Sequence, residues 1–497
     1  MNLAGVGGGL ILQDSRGEQV AVQANGSFML PEPLASGHSY DITISTQPTN
    51  PTQICRVTDG SGVAIGDVTN IEVNCGHNEW MWAAGPDTGQ PNGVYGNMGT
   101  AATTNNPGGR QTPATWTDSS RDLWLFGGYG LDSTGTLLPM NDLWKYSNGV
   151  WTWVAGPDLG GQKGVYGTPG VAAAGNIPGA RYEAVTWTDA EGNFWLFGGE
   201  GYDSAGNEGG LGDLWKYANG EWTWMGGSAL ENQPSTYGTL RVPAAGNTPG
   251  ARFGAAGWID ASGNFWLFGG WNFDLGVAHG TLNDLWKYSD GEWTWESGSQ
   301  SADQPGVYGT QGAPAPGNVP RSRYWAATWT DLSGNLWLFG GANESGFLSD
   351  LWEYRNGEWA WISGPTQTYE PGVYGIQETA APANNPGARQ LAVAWTDSAG
   401  NFWLAGGNGI DSANGTGLLN DLWKYSGGQW TWMSGSKVIN QDGVYGTQGM
   451  LAPGDTPGAR FESGHWVDSN GNLWLFGGYG VARGTEGNLS DLWMYMP

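Results

Sequence analysis

From residue 78 onward the chain alternates short apolar runs with glycine- and asparagine-rich turns, and does so six times over. In each copy an Arg leads a run ending in Trp-x-Asp, as in Arg181 to Trp187-Thr188-Asp189. A turn such as Glu191-Gly192-Asn193 follows, then Phe194-Trp195-Leu196-Phe197 and a Gly-Gly pair. A loop precedes Asp213-Leu214-Trp215-Lys216-Tyr217, and Trp222-Thr223-Trp224 ends the unit. Runs this short, rich in aromatic and β-branched residues and bounded by Gly, Asn and Asp, predict β-strands. The Asp-x-x-Gly-Asn segments predict hairpins, because Gly takes the positive φ that tight turns demand.

The Gly-Gly pairs begin at Gly127, Gly198, Gly269, Gly340, Gly406 and Gly477, in steps of 71, 71, 71, 66 and 71 residues. From the second Trp of each Trp-x-Trp to the next Arg is always 28 residues, and from that Arg to the first Gly always 17. Only the stretch from Gly-Gly to Asp-Leu-Trp varies, between 10 and 15 residues. Fixed spacing implies one structural unit, and the variable stretch marks a loop free to differ. Four strands per unit at this period predict a radial array of four-stranded sheets, a six-bladed propeller over residues 77–497. The first copy opens with an unaccompanied Trp80-Met81-Trp82, and the last stops at Asp491-Leu492-Trp493-Met494-Tyr495. The N-terminal strand is therefore expected to complete the last blade and leave no open seam.

Residues 1–76 lack the Trp motifs. Alternation at Gly9 to Gln13, Ser27 to Leu30, Tyr40 to Thr46 and Ile71 to Cys75 predicts strands of a small β-sandwich. Cys55 and Cys75, the only cysteines, fall in this segment and predict a disulfide and an oxidising compartment: secreted, cell-surface or periplasmic. No apolar run reaches 18 residues, so no membrane span is expected. Met1 to Ala4 show no basic segment leading into an apolar stretch, so an export signal would already have been removed.

The repeated Gly-Gly, Tyr and Trp positions resemble the kelch repeat, in six copies over residues 78–497. The resemblance implies a galactose oxidase-like propeller whose strands run outward from a central axis. The period departs from the usual kelch length of about 50, and the excess lies in the 28-residue connector with its Gly-Val-Tyr-Gly. The segment before the repeats looks similar to immunoglobulin-like or prealbumin-like modules. A galactose oxidase copper site needs histidines and a tyrosine joined to a cysteine. Here the repeats hold no Cys, and their only histidines are His279 and His465, so that chemistry is excluded. Kelch-class sialic-acid epimerases are the other enzymatic precedent, because sugar ring opening needs only acid and base groups.

Composition narrows the partners. Gly and Pro number 88 and 26, close to a disordered composition, but 32 Trp at fixed spacing supply apolar surface that can offset ordering. With 19 basic and 46 acidic residues the net charge is −27, which repels phosphate backbones and anionic lipid. Nucleic acid and membrane insertion are thus not expected. No resident cofactor is expected either, although acidity leaves Ca²⁺ open. No Gly-x-Ser-x-Gly, His-Glu-x-x-His or Cys-x-x-Cys pattern occurs.

Residues common to all copies should build the sheets. The arginines Arg110, Arg181, Arg252, Arg323, Arg389 and Arg460 can hold neighbouring carbonyls or a carboxylate in a fixed fork. The Asp of Trp-x-Asp should form turns, and the Trp-x-Trp pairs should pack between sheets. Function should reside where the copies differ. The positions just after each Arg include Tyr182, Glu183, Tyr324, Trp325 and Glu462, and the position after Gly-Gly holds Tyr129, Glu200, Trp271, Asn408 or Tyr479. With Asp274 in the third loop, these are expected to ring one face with aromatics, carboxylates and amides. That mixture suits a glycan or an extracellular protein segment. The expectation is a binding or adhesion module without catalysis, with a mutarotase-, epimerase- or lyase-like use of the carboxylates as the alternative.

Overall fold

A computed structural model describes residues 9–24, 26–48, 54–76, 78–273, 279–452 and 454–497. Every regular element among them is a β-strand, and the sheets are small and antiparallel. The chain divides into two compact units: residues 1–83, 445–456 and 494–497 in the first, and 84–444 and 457–493 in the second.

In the first unit Leu10–Asp14 lies between Gln19–Val22 and Ser39–Thr46, with Ser61–Val63 at the edge. Ile54–Thr58 pairs with Glu72–Gly76, and Cys55 and Cys75 face each other across that ladder and are disulfide-bonded. Leu10, Leu12, Val22, Ile42 and Val73 pack on the disulfide. Ser27 to Leu30 is a correction to the sequence reading: it forms no strand, and Met29 is exposed. Phe28 and Leu30 instead pack against the core from a loop. Residues 494–497 belong to this unit beside the strand Glu79–Ala84. The Asn78 amide donates to the Met496 carbonyl at 2.7 Å, and the Trp80 and Tyr495 rings lie 5.1 Å apart.

The second unit holds the repeated sheets. In the second copy, Arg181–Tyr182 and Val185–Thr188 both pair with Phe194–Tyr202, followed by Glu208–Ala218 and Glu221–Gly226. The third and fifth sheets repeat this order, the sixth opens likewise with Arg460–Phe461 and Gly464–Val467 against Leu473–Ala482, and the first adds an outer strand, Ala101–Ala102. The fourth, with its shorter loop, keeps four strands and a separate small hairpin, Ala342–Asn343 with Gly346–Phe347. The first strand is thus in two pieces rather than one run, and the break falls at the second residue after the Arg. The Gly-Gly pair is where the central ladder shifts register, between Phe197 and Gly199. Gly198 and Gly199 have φ of 67° and 93°. A Cβ on Gly199 would come within 2.5 Å of the Tyr182 carbonyl. Only glycine fits there.

One buried network recurs in each sheet. Arg181 grips Asp213 with two bonds, 2.7 and 2.8 Å, and donates to the Gly198 carbonyl. The same aspartate accepts from Tyr166 of the long connector and from the Trp215 indole. The arginine therefore ties the first strand to the third of its own sheet. The turn aspartates are confirmed too: Asp189 accepts the Asn193 amide and the Trp195 indole.

Successive sheets pack through the first Trp of Trp-x-Trp. Trp222 meets Phe126, Trp293 meets Phe197, Trp359 meets Phe268 and Trp430 meets Phe339, with ring centroids 4.9–5.4 Å apart. The fifth sheet reaches the sixth where the Trp395 indole donates to the Trp474 carbonyl. The sixth reaches the first, with Trp151 at 5.2 Å from Phe476 and Trp466 donating to the Trp124 carbonyl.

Candidate functional site

The break in each first strand is made by one residue with positive φ: Thr112, Glu183, Gly254, Trp325, Leu391 and Glu462, between 47° and 62°. Five of the six are not glycine, and a left-handed Trp or Thr is a costly conformation that its surroundings must hold. Here the backbones hold one another. The Thr112 amide donates to the Glu462 carbonyl, Glu462 to Leu391, Leu391 to Trp325, Trp325 to Gly254 and Gly254 to Glu183, at 2.7–3.3 Å. One residue from every sheet is thereby joined into a belt. Beyond it the second pieces of the first strands are mutual neighbours all the way round, the sixth beside the first.

The two sets of variable positions meet at the belt. The residue after each Arg pairs with the residue after Gly-Gly: Gln111 with Tyr129, Tyr182 with Glu200, Phe253 with Trp271. The remaining pairs are Tyr324 with Ala342, Gln390 with Asn408, and Phe461 with Tyr479. Tyr129, Tyr182, Glu200, Trp271, Asn408 and Tyr479 are all half-buried. Asp274 lies outside the described residues.

Two halves differ in character. On one, Tyr129 and Tyr182 pack at 5.3 Å, Tyr182 and Glu200 are hydrogen-bonded, and burial raises the Glu200 pKa. The Glu462 charge bears on Glu183. Burial, then that repulsion, lifts Glu183 well above the usual carboxylate range, and burial pushes Glu462 up to about 8. On the other half, Trp325 packs on Tyr324 at 4.1 Å, Trp271 on Tyr324 at 5.8 Å, and Phe253 on Trp325 at 6.0 Å. The Trp325 indole crosses to donate to the Glu183 carboxylate at 2.6 Å. Gly254 makes the crossing possible, because a Cβ there would meet the indole at 2.6 Å. Tyr479 packs on Phe461 at 5.5 Å.

Phe253, Phe273 and Thr112 belong to the site without having been singled out as contact residues, and His465 lies beyond the belt on the second piece of its strand. Phe253 and Thr112 could have been found from the register of the second and third sheet positions, while nothing local marks His465. Its ring takes the place of Thr115 and Thr328 on the second piece of the first strand. It is open to water yet walled by protein, and burial depresses its pKa to about 4, leaving it neutral at pH 7. Among the described residues no three His, Cys, Asp or Glu side chains are grouped to hold a metal ion, and no helix is long and apolar enough to cross a membrane.

No family model matches the chain, and no curated protein is similar to it. Among solved structures, one titled "Structure of YjhT" aligns with 78% of this chain and 95% of its own length, at 14% identity and a TM-score of 0.46.

Proposed function

We propose that the six sheets are the blades of a kelch-type β-propeller, residues 77–497, following a disulfide-bonded β-sandwich in residues 1–76. The contact of the sixth sheet with the first supports a closed ring, and the strand Glu79–Ala84 beside residues 494–497 supports closure by the N-terminal strand. The disulfide supports an exported protein.

The belt face then binds carbohydrate, and the protein is a secreted recognition module. The observation that carries this is the juxtaposition of half-buried Trp271, Tyr324 and Trp325 with the carboxyls of Glu183 and Glu462. Sugar rings offer apolar faces to aromatic planes and hydroxyls to carboxyls and amides. A protein segment would use the same face, but the deep carboxyls suit a small polar ring better than a chain. A glycan array tests the reading. Binding that fails in Trp325→Ala supports it, and absence of any glycan ligand refutes it.

A second reading is catalysis of sugar ring opening or epimerisation. Its support is the carboxyl pair itself, since a group with pKa about 8 can give a proton near neutrality while its neighbour accepts one. NMR of the anomeric protons of a bound sugar separates the two. Accelerated exchange lost in Glu183→Gln or Glu200→Gln favours catalysis, whereas binding with unchanged exchange favours recognition alone.

A further inference from the structure

The two halves of the belt are unbalanced in charge. All six belt-proximal arginines are committed to the aspartates of their own sheets. No positive side chain bears on Glu183 or Glu462, whose surroundings are each other, Glu200 and the Trp325 indole. Among the described residues no donor reaches the Glu462 carboxyl. Beside Glu462 in the belt stands Thr112, whose amide donates to the Glu462 carbonyl and whose hydroxyl oxygen is buried and has no hydrogen-bond partner. Deeply set acceptors with too few donors are what an ionised donor from outside would satisfy. An ammonium carries three such donors and a positive charge. Against the Glu183 carboxyl stands the Trp325 indole, packed with Tyr324 and Phe253; aromatic rings attract a cation and stack on an apolar ring.

We infer that the belt recognises a saccharide bearing a free amine, its ammonium seated among Glu183, Glu462 and the Thr112 hydroxyl and its ring against Trp325 and Tyr324. The inference rests on the carbohydrate reading above and narrows it to amino sugars that are not acetylated. An acetyl group removes the charge and adds bulk where the carboxyls converge. An acidic sugar would meet two carboxyls with no cation to offset it.

The test is calorimetric titration of the full chain at physiological ionic strength, which screens diffuse attraction to the acidic surface. Three disaccharides serve as probes: β-1,4-linked glucosamine, its N,N′-diacetyl form, and cellobiose. The expected result is at least tenfold tighter binding of the free amine. That preference should shrink to about twofold or less in Glu183→Gln/Glu462→Gln, with the unfolding temperature checked beside it. It should persist in Glu191→Gln/Asp290→Asn, two exposed turn positions away from the belt. A readout needing no variant is proton release. At pH 7 the amine should expel protons from the carboxyl pair, seen as a dependence of the heat on buffer ionisation, whereas cellobiose should not. The titratable groups that bear on Glu183, besides Glu462, are Glu200, Tyr182 and Tyr324. His465 is already neutral and the tyrosines are raised, so release at pH 7 reports the carboxyls.

Equal affinity for all three disaccharides overturns the amine inference and leaves carbohydrate binding intact. An amine preference that survives Glu183→Gln/Glu462→Gln, or binding without proton release, places the charge recognition elsewhere and overturns it. Failure of every saccharide, on this panel and on the array, overturns both.

Discussion

Asp350 accepts four hydrogen bonds while fully buried: two from Arg323, one from the Tyr308 hydroxyl and one from the Trp352 indole. Burial would raise its pKa, but the pairing with Arg323 and the added donors outweigh it and hold the carboxyl below the usual range. A depressed folded-state value stabilises the fold above the unfolded pKa and is lost as pH falls below about 4. Asp350→Ala would leave a buried guanidinium without its partner, and should cost about 3–5 kcal/mol in urea unfolding. Tyr308→Ala removes a ring that touches Trp352 and Trp361 and one hydrogen bond, and should cost about 2–4 kcal/mol with ligand affinity nearly unchanged. The belt glutamates have the opposite sign. Glu462 ionises at about 8 in the folded protein and near 4.5 otherwise, so the folded state holds the extra proton between those values. Stability therefore declines as pH rises from about 5 to 8. In Glu462→Gln that decline should be shallower, measured as unfolding temperature against pH; an unchanged slope would show that Glu462 is not the group responsible. The fork of each arginine and the turn role of each aspartate were legible from residue type and repetition. The left-handed residues of the belt were not, because Thr112, Trp325 and Leu391 carry no local preference for positive φ and are held there by backbone hydrogen bonds to other sheets.

At the scale of the strand and loop, legibility followed repetition. Six copies of one spacing exposed every sheet of the second unit, since each residue type could be compared with five equivalents. Ser27 to Leu30 had no such copies: an apolar run beside a small core satisfies its side chains equally well from a loop, and alternation alone cannot tell the two apart. The post-Arg and post-Gly-Gly positions pair directly across antiparallel strands, so both side chains lie on the same face. Structure and specificity thus separate by element. The long connectors send Tyr95, Tyr166, Tyr237, Tyr308 and Tyr374 into the Arg–Asp networks, and Val165 bridges Ile177 within one connector. The residues after Gly-Gly have no such duty. Trp271→Ala should weaken saccharide binding by about 1–3 kcal/mol, the range of an aromatic stacking platform, and leave the unfolding temperature within a few degrees. If Tyr308→Ala abolished binding and Trp271→Ala did nothing, the connectors would be the recognition surface instead.

For the molecule as a whole, the matter of greatest consequence is how residues 78–82 meet Tyr445, Tyr495 and Met496. A sheet whose last strand lacks a partner exposes a row of amides and carbonyls that invites pairing with another chain. Here the Asn78 amide is bonded to the Met496 carbonyl, the Tyr495 hydroxyl donates to the Asn78 side chain, and Trp80 covers the Tyr495 ring. Trp82 in turn packs edge-on against Tyr445 at 5.2 Å and accepts the Gly449 amide at its carbonyl. Two truncations divide the contributions. Removal of residues 1–76 takes away the disulfide and the two small sheets around it, whose core of Leu10, Leu12, Ile42 and Val73 is their own. That shorter deletion should leave a folded chain with a cooperative thermal transition. Removal of residues 1–82 also takes Asn78, Trp80 and Trp82, stripping Met496, Tyr495 and Tyr445 of these partners at once. The longer deletion should unfold at least about 10 °C lower, consistent with the loss of several kilocalories from so large a domain, or run as aggregates on size exclusion. Equal unfolding temperatures and monodisperse profiles for the two would show that residues 78–82 do not complete the last sheet.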